Sequence, residues 1–329
     1  MTGPVSAAKA SARPSLPRSI FGYVWQTDRK NQVFLSLLTV VVFLLSLAPL
    51  EFQRRIINGA LGARDLGLLV MLCAGYGAAA LTMGGLKLAL NVFRGYASEC
   101  ATRRLRTLVH AGGAAGTALA SPIEIEMVVA EAEPVGGFVG IAYSEPLLQG
   151  GVLLSVFGYM LVINPSLAAV SIALFVPQMV FVPLMQRAIN RRTHLRIRVM
   201  RGLSATIVAS HAGAAAQFRR HANRVYELNM QIFRWKFTMN FLMNGLYHLA
   251  IVGVYLIGGW LAFRGEATIG TIVAFATGIA QLNDPWGDLV NYFRDCSAAQ
   301  VKYGLIANAL DGGDDEAESV GASVLGGRG

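Results

Sequence analysis

Five polar side chains recur at helical spacing from the end of one apolar run onward. Gln281, Asp284, Asp288, Asn291 and Asp295 fall within an arc of about 80° at 100° per residue, with Thr277 on the same stripe. Carboxylates at bilayer depth must face protein or water, because lipid offers them no partner. The stripe therefore has two readings: the polar wall of a substrate path, or a solvated helix that leaves the membrane early. A second stripe, Asn240, Asn244, Tyr247, His248 and Tyr255, spans about 100° on another apolar segment. Hydrogen bonds between helices suit Asn240 and Asn244. His248 is a pH-sensitive path residue if water reaches it. Lys87 and Asn91 lie one turn apart at the end of a third segment, where Lys87 either snorkels to the interface or reaches Asp284. Glu51 and Arg55 are spaced i, i+4 with Arg54 alongside, which suits interfacial anchoring or an ion pair at an outer gate.

No catalytic chemistry accompanies these groups. The sequence contains neither H-E-x-x-H nor G-x-S-x-G, and its five His and three Cys form no metal-ligand cluster. No catalytic residue and no metal site are assigned. Cys73 falls in an apolar run while Cys100 and Cys296 fall on the reducing side of the expected topology, so no structural disulfide is expected.

The elements that must position the stripes are membrane helices. Only 14% of the 329 residues are charged, against about 25% in soluble domains. Hydrophobic residues make up 54%, and the mean hydropathy is +0.50. Apolar runs cover Val33 to Leu50, Leu66 to Leu86, Pro146 to Ile163, Pro165 to Met185, Phe241 to Phe263 and Ala267 to Asn283. These predict an all-α membrane protein of six transmembrane helices, since a span needs about 20 apolar residues. Barrel strands would alternate instead. The last run is the weakest, with 17 residues before Asp284.

Charge placement predicts the orientation. Lys9, Arg13, Arg18, Arg29 and Lys30 precede the first run; Arg94, Arg103, Arg104 and Arg106 follow the second; eleven cations lie from Arg187 to Lys236; and Arg294, Lys302 and Arg328 follow the last. The opposite side holds only Arg54, Arg55, Arg64 and Arg264. The positive-inside bias therefore places both termini in the cytoplasm of a multi-pass protein of the cell (inner) membrane. Topology also accounts for the net charge of +9, so no nucleic-acid partner is expected. The first run is too long for a signal peptide and should be retained. Before it, Leu16, Ile20, Phe21, Val24 and Trp25 make an amphipathic segment, expected to lie along the interface as an elbow helix.

Loop lengths refine the architecture. The outer connections are short, whereas Arg94 to Glu145 and Gln186 to Asn240 hold 52 and 55 residues that read mostly as helix. Folded as hairpins, arms of about 25 residues would reach roughly 38 Å beyond the membrane. Locally, Ala101-Thr102-Arg103-Arg104-Leu105-Arg106, Ser121-Pro122-Ile123-Glu124-Ile125 at the first hairpin turn, and Ile269-Gly270-Thr271-Ile272-Val273-Ala274-Phe275 before the sixth run form an ordered set. Over roughly Ser19 to Leu310 the chain resembles the transmembrane domain of an ATP-binding-cassette (ABC) exporter of type-1 fold, with long cytoplasmic helical extensions.

That resemblance implies residues 1–32 as a cytoplasmic segment with the elbow, 33–310 as the six-helix domain, and 311–329 as an acidic Gly-rich tail without fixed structure. It further implies a permease subunit working by alternating access in a dimer, with a second copy or a related six-helix subunit and membrane lipid as partners. Ser121, Pro122, Ile123 and Glu124 in one turn, with Ser210, His211, Ala212 and Gly213 in the other, would couple it to a cassette. No G-x-x-x-x-G-K-S/T loop occurs, and none of the five lysines follows a glycine, so nothing in the chain cradles a nucleotide phosphate. ATP and Mg would act only through a separate nucleotide-binding subunit. The alternatives are a truncated chain, or a cassette-free carrier, receptor or assembly partner that has lost ATP coupling.

Overall fold

Long uncharged runs leave the backbone no hydrogen-bond partner but itself, and in the computed structural model these runs are helical, the first broken by a turn at Ser46 and Leu47. The structure describes residues 17, 19–114, 122–208 and 214–325. In order, the helices are α1 (Ile20–Leu45), α2 (Ala48–Arg55), a π-helical turn (Ile56–Leu61), α3 (Leu66–Ala114), α4 (Pro122–Ile141), α5 (Ser144–Ile163), α6 (Pro165–Val208), α7 (Ala214–Phe263) and α8 (Ile269–Leu325). Among the described residues there is no strand.

By length and composition, five segments can cross a membrane: Ile20–Leu61, Leu66–Val109, Ser144–Ile163, Pro165–Met200 and Ala215–Phe263. The sixth run forms the start of α8 but is not among them, because Gln281, Asn283 and Asp284 dilute its apolar character. The helix continues without a break past Pro285 and on through Asp311 to Leu325, where a tail without fixed structure is expected from sequence. After Pro285 that stretch contains no proline to stop it.

Caps place the helix starts. Asn164 accepts from the Leu167 N–H at 3.0 Å with Pro165 at the first position of α6, and Asp65 accepts from the Leu68 N–H at 3.1 Å ahead of α3. Gly265, at φ +75°, turns the chain between α7 and α8. Within α1, Asp28 has non-helical angles and accepts from Asn31 at 2.7 Å, so the elbow and the first span are two helical pieces joined at this residue.

The described residues fall into two compact units. The first draws on Met1–Val42, Gly84–Leu148 and Asn291–Gly329. Its core joins the start of α1 (Ile20, Tyr23, Val24) to Leu105 of α3, Val135 and Phe138 of α4, and Tyr292, Tyr303 and Ile306 of α8. The Ile20 N–H donates to Gln300 and the Tyr303 hydroxyl to the Pro17 carbonyl. The apolar face of the elbow, Ile20 and Val24, is thus covered by protein, while Trp25 stays 43% exposed. Tyr292 stacks on Phe138 at 5.8 Å and donates to the Ala142 carbonyl at 2.6 Å. Burial pushes this hydroxyl up to about 12, so it remains a donor at ordinary pH.

Helices α3 and α4 meet through glycine. A Cβ at Gly136 would lie 2.8 Å from both the Cα and the N of Thr102, a backbone that cannot step aside. A Cβ at neighbouring Gly137 would meet nothing closer than 4.0 Å. Gly136→Val should therefore cost about 3 kcal/mol, while Gly137→Ala should be neutral or stabilising by up to about 1 kcal/mol. Thermal unfolding in detergent checks this; equal effects of the two would show that the contact does not matter.

The second unit, Phe43–Met83 with Gln149–Val290, has its own core of Leu50, Val156, Met160, Leu167, Phe175, Val254, Phe275 and Leu282. Helices α6 and α7 pair antiparallel along their length. Arg192 donates to Gln231 and Arg196 to Asn229, both at 3.2 Å. The two arms expected from the 55-residue connection are present as paired helices, and residues 209–213 between them lie outside the described residues.

Candidate functional site

Helix α8 separates its polar and apolar residues cleanly. Ile279, Leu282 and Trp286 pack into the second unit's core. Asp284, Asp288, Asn291 and Asp295 are exposed on the other face. The helix thus groups the four polar residues that the spacing predicts. Asp288 is tied down, accepting from the Gln149 side chain of α5 at 3.2 Å. Gln281 is half-buried, and its Oε1 has no hydrogen-bond partner among the described residues.

A polar pocket lies behind this helix, between α6, α7 and α8. Ser171, Gln178, Tyr247 and Asn283 line it together with apolar neighbours, around a space of about 10 Å³, the least that holds one water molecule. Gln178 is only 4% exposed. Its Oε1 and the Oδ1 of Asn283 both lack a hydrogen-bond partner among the described residues. Two unmet acceptors in an apolar core cost on the order of 1–3 kcal/mol each, so the space suits a single small hydrogen-bond donor such as water. Sequence reasoning missed Gln178 and Asn283. The available signal was Gln178 itself, a lone amide in an otherwise apolar run, which at depth needs a partner.

The α7 stripe is divided: Tyr247 is half-buried against the second unit's core, and the rest faces outward. Asn240, Asn244 and His248 are exposed, and the His248 ring meets Tyr247 edge-on at 5.0 Å between centroids. Lys87 and Asn91 are likewise exposed, on α3. At bilayer depth such groups demand water or another protein surface.

At the end of α2, Glu51 gathers three donors. Arg54 binds it through Nε and a terminal nitrogen, both at 2.9 Å, Arg55 through Nε at 2.6 Å, and the Tyr159 hydroxyl from α5 at 2.9 Å. Tyr159 is not apparent from sequence, being 108 residues away. Beside this cluster the π-helical turn presents Asn58, which donates to Thr268 at 2.8 Å and accepts from the Gly270 N–H at 2.9 Å. The start of α8 is thereby fastened to the π-helical turn.

Of the coupling residues, Pro122, Ile123 and Glu124 open α4, where proline's missing N–H costs nothing. Ser121, Ser210, His211, Ala212 and Gly213 lie outside the described residues. No group of three His, Cys, Asp or Glu side chains that could hold a metal occurs among the described residues.

No protein-family model matches the chain, and no curated protein matches it.

One further site escaped sequence reasoning. Arg94, 9% exposed, pairs with Glu145 at 2.6 Å and donates from Nε to Ser144 at 2.8 Å. A side chain at Gly140 would collide with the Arg94 carbonyl, so glycine lets α4 reach α3 here. The chain turns at Ala142 and Tyr143 to place Ser144 and Glu145 on the guanidinium. This knot joins α3 to α5 within the first unit.

Proposed function

We propose that the chain is the membrane-spanning permease subunit of an ABC-type transporter, moving substrate by alternating access in a dimer of six-helix domains. Helix length carries this reading. At 1.5 Å per residue, the 44 residues of α6 extend about 66 Å, while the hydrocarbon core is about 30 Å thick. Helices α3, α7 and α8, of 49, 50 and 57 residues, exceed that need as well. Such an excess, paired as α6 with α7, suits a lever that carries motion from a soluble motor to a membrane path. Under this reading the start of α8 is the sixth span, both termini lie in the cytoplasm of an inner membrane, and Gln281, Asp284 and Asp288 of α8 with Asn244 and His248 of α7 line the path. The exposed polar stripe of α7 supports a second copy, because lipid would leave those groups unpartnered.

ATP would be hydrolysed by a separate nucleotide-binding subunit, with Mg. Affinity purification of the full chain from native membranes tests this. A cassette subunit should copurify, and the isolated chain should show no ATPase activity above background. Robust hydrolysis by the chain alone refutes the partner requirement. A functional chain that brings down no cassette is the cassette-free carrier, receptor or assembly protein instead.

A further inference from the structure

One face of the membrane part of α7 is left open along its length, and its residues repeat with a fixed period. Phe241, Asn244, His248, Val252, Tyr255 and Phe263 are all exposed. Gly259 fills the gap before Phe263, and a Cβ there would meet nothing within 4 Å. The spacing is an 11-residue repeat: Phe241 recurs as Val252 and Phe263, Asn244 as Tyr255, and His248 as Gly259. At 100° per residue these positions stay within an arc of about 100°. Ala250, Val254 and Leu261, which pack into the second unit's core, lie roughly 150° around the helix from the middle of that arc. The seam is turned away from its own unit.

Lipid suits only half of this seam. Phe241, Val252 and Phe263 are at home in hydrocarbon, whereas Asn244, His248 and Tyr255 are not. Counted inward from Phe263 at 1.5 Å per residue, Tyr255 lies about 12 Å and His248 about 22 Å along α7, within a core of about 30 Å, and Asn244 lies at its inner edge. Among the described residues none of the three has a hydrogen-bond partner.

Their chemistry says what covers them. An amide, a neutral imidazole and a phenol each donate and accept, so each pairs with an identical group, as a carboxylate or an ammonium does not. From Phe237 to Phe263 the helix carries no charged residue to repel its like. Two copies inserted with one topology run parallel, and a two-fold axis then sets each seam residue beside its own counterpart. We propose that this face of α7 is the contact with a second copy of the chain, a parallel helix pair in which Asn244, His248 and Tyr255 each bond to their counterparts. An 11-residue repeat gives such a pair a slight right-handed twist. The contact rests on the dimer of the proposed function. Asn244 and His248 also line its path, whose walls meet when the path is shut.

Disulfide trapping in native membranes tests the seam, using the full-length chain with Cys73→Ala, Cys100→Ala and Cys296→Ala in two copies that carry different tags. Asn244→Cys, His248→Cys and Tyr255→Cys should each give, on mild oxidation, a product of twice the 35.2 kDa of one chain that holds both tags. Leu249→Cys is 51% exposed beside His248 but outside the seam. It should be trapped about tenfold less, because a disulfide demands close and oriented Cβ atoms. Asn244→Leu with His248→Leu and Tyr255→Phe should raise the dissociation constant of the dimer about 20-fold, at about threefold for each interhelical bond lost, as read by single-molecule subunit counting in vesicles. Equal trapping at positions 248 and 249, or an unchanged dissociation constant in the triple variant, would overturn the seam. Subunit counting of the unaltered chain separates the two readings: a monomer at every protein-to-lipid ratio refutes the dimer itself, whereas a dimer with no trapping at the three positions refutes only the seam.

Discussion

Replacing Arg94 by methionine is expected to destabilise the protein by about 3–5 kcal/mol, since the substitution removes the guanidinium from a carboxylate, Glu145, that is only 16% exposed. The double variant Arg94→Met with Glu145→Leu should regain most of that loss, because the buried carboxylate is removed along with its guanidinium. Arg94→Lys should fall between, keeping the charge but not the second donor that reaches Ser144 at 2.8 Å. Denaturant unfolding in detergent measures all three. If the single methionine variant loses less than about 1 kcal/mol, water or another group reaches Glu145, and the knot is not a buried pair.

The α8 stripe yields the second large effect. If Asp284 lines an aqueous path, Asp284→Cys should react with a charged, membrane-impermeant thiol reagent nearly as fast as Asp295→Cys. Leu249→Cys, on the exposed apolar face of α7, should react on the order of a hundredfold more slowly. That is the factor corresponding to the 2.5–3.5 kcal/mol cost of bringing charge to the bilayer centre. Asp284→Asn with Asp288→Asn should then reduce or redirect transport without loss of expression, as asparagine still accepts from Gln149. Slow labelling at position 284, together with tolerance of leucine at both aspartates, would return the stripe to the solvated-helix reading.

Sequence patterning reached the long helices because their apolar runs exceed anything a loop could tolerate, as in Leu66–Leu86 and Phe241–Phe263. The grouping of Asp284, Asp288, Asn291 and Asp295 was equally accessible, being a matter of helical spacing alone. What the pattern could not show was partnership across helices. Arg94 and Ser144 are 50 residues apart, and nothing local distinguishes this arginine from those that orient the chain. Gln178 and Asn283 meet one cavity only because α6 and α8 pack together. The π-helical turn at Ile56–Leu61 lies where sequence suggested a connection, because Asn58-Gly59 reads locally as a turn, whereas in the structure Asn58 reaches Thr268 and Gly270, more than 200 residues away. The tendency of α8 to weaken as a span was visible as the shortest of the six runs.

The clasp between the beginning of α1 and the far part of α8 also constrains how the protein is made. Ile20, Tyr23 and Val24 emerge from the ribosome early, but Tyr303 and Ile306, which cover them, emerge almost 300 residues later. At about 5–20 residues per second, the delay is tens of seconds. During that interval every other helix has been synthesised, while Leu105 and Val135 also wait for their last neighbours. The second unit, with Leu50, Val156 and Phe275, is complete at Val290. Biosynthesis thus closes the interior unit first and the unit holding the early residues last, which exposes a chain interrupted before Tyr303 to chaperones and proteases with its half-built core open.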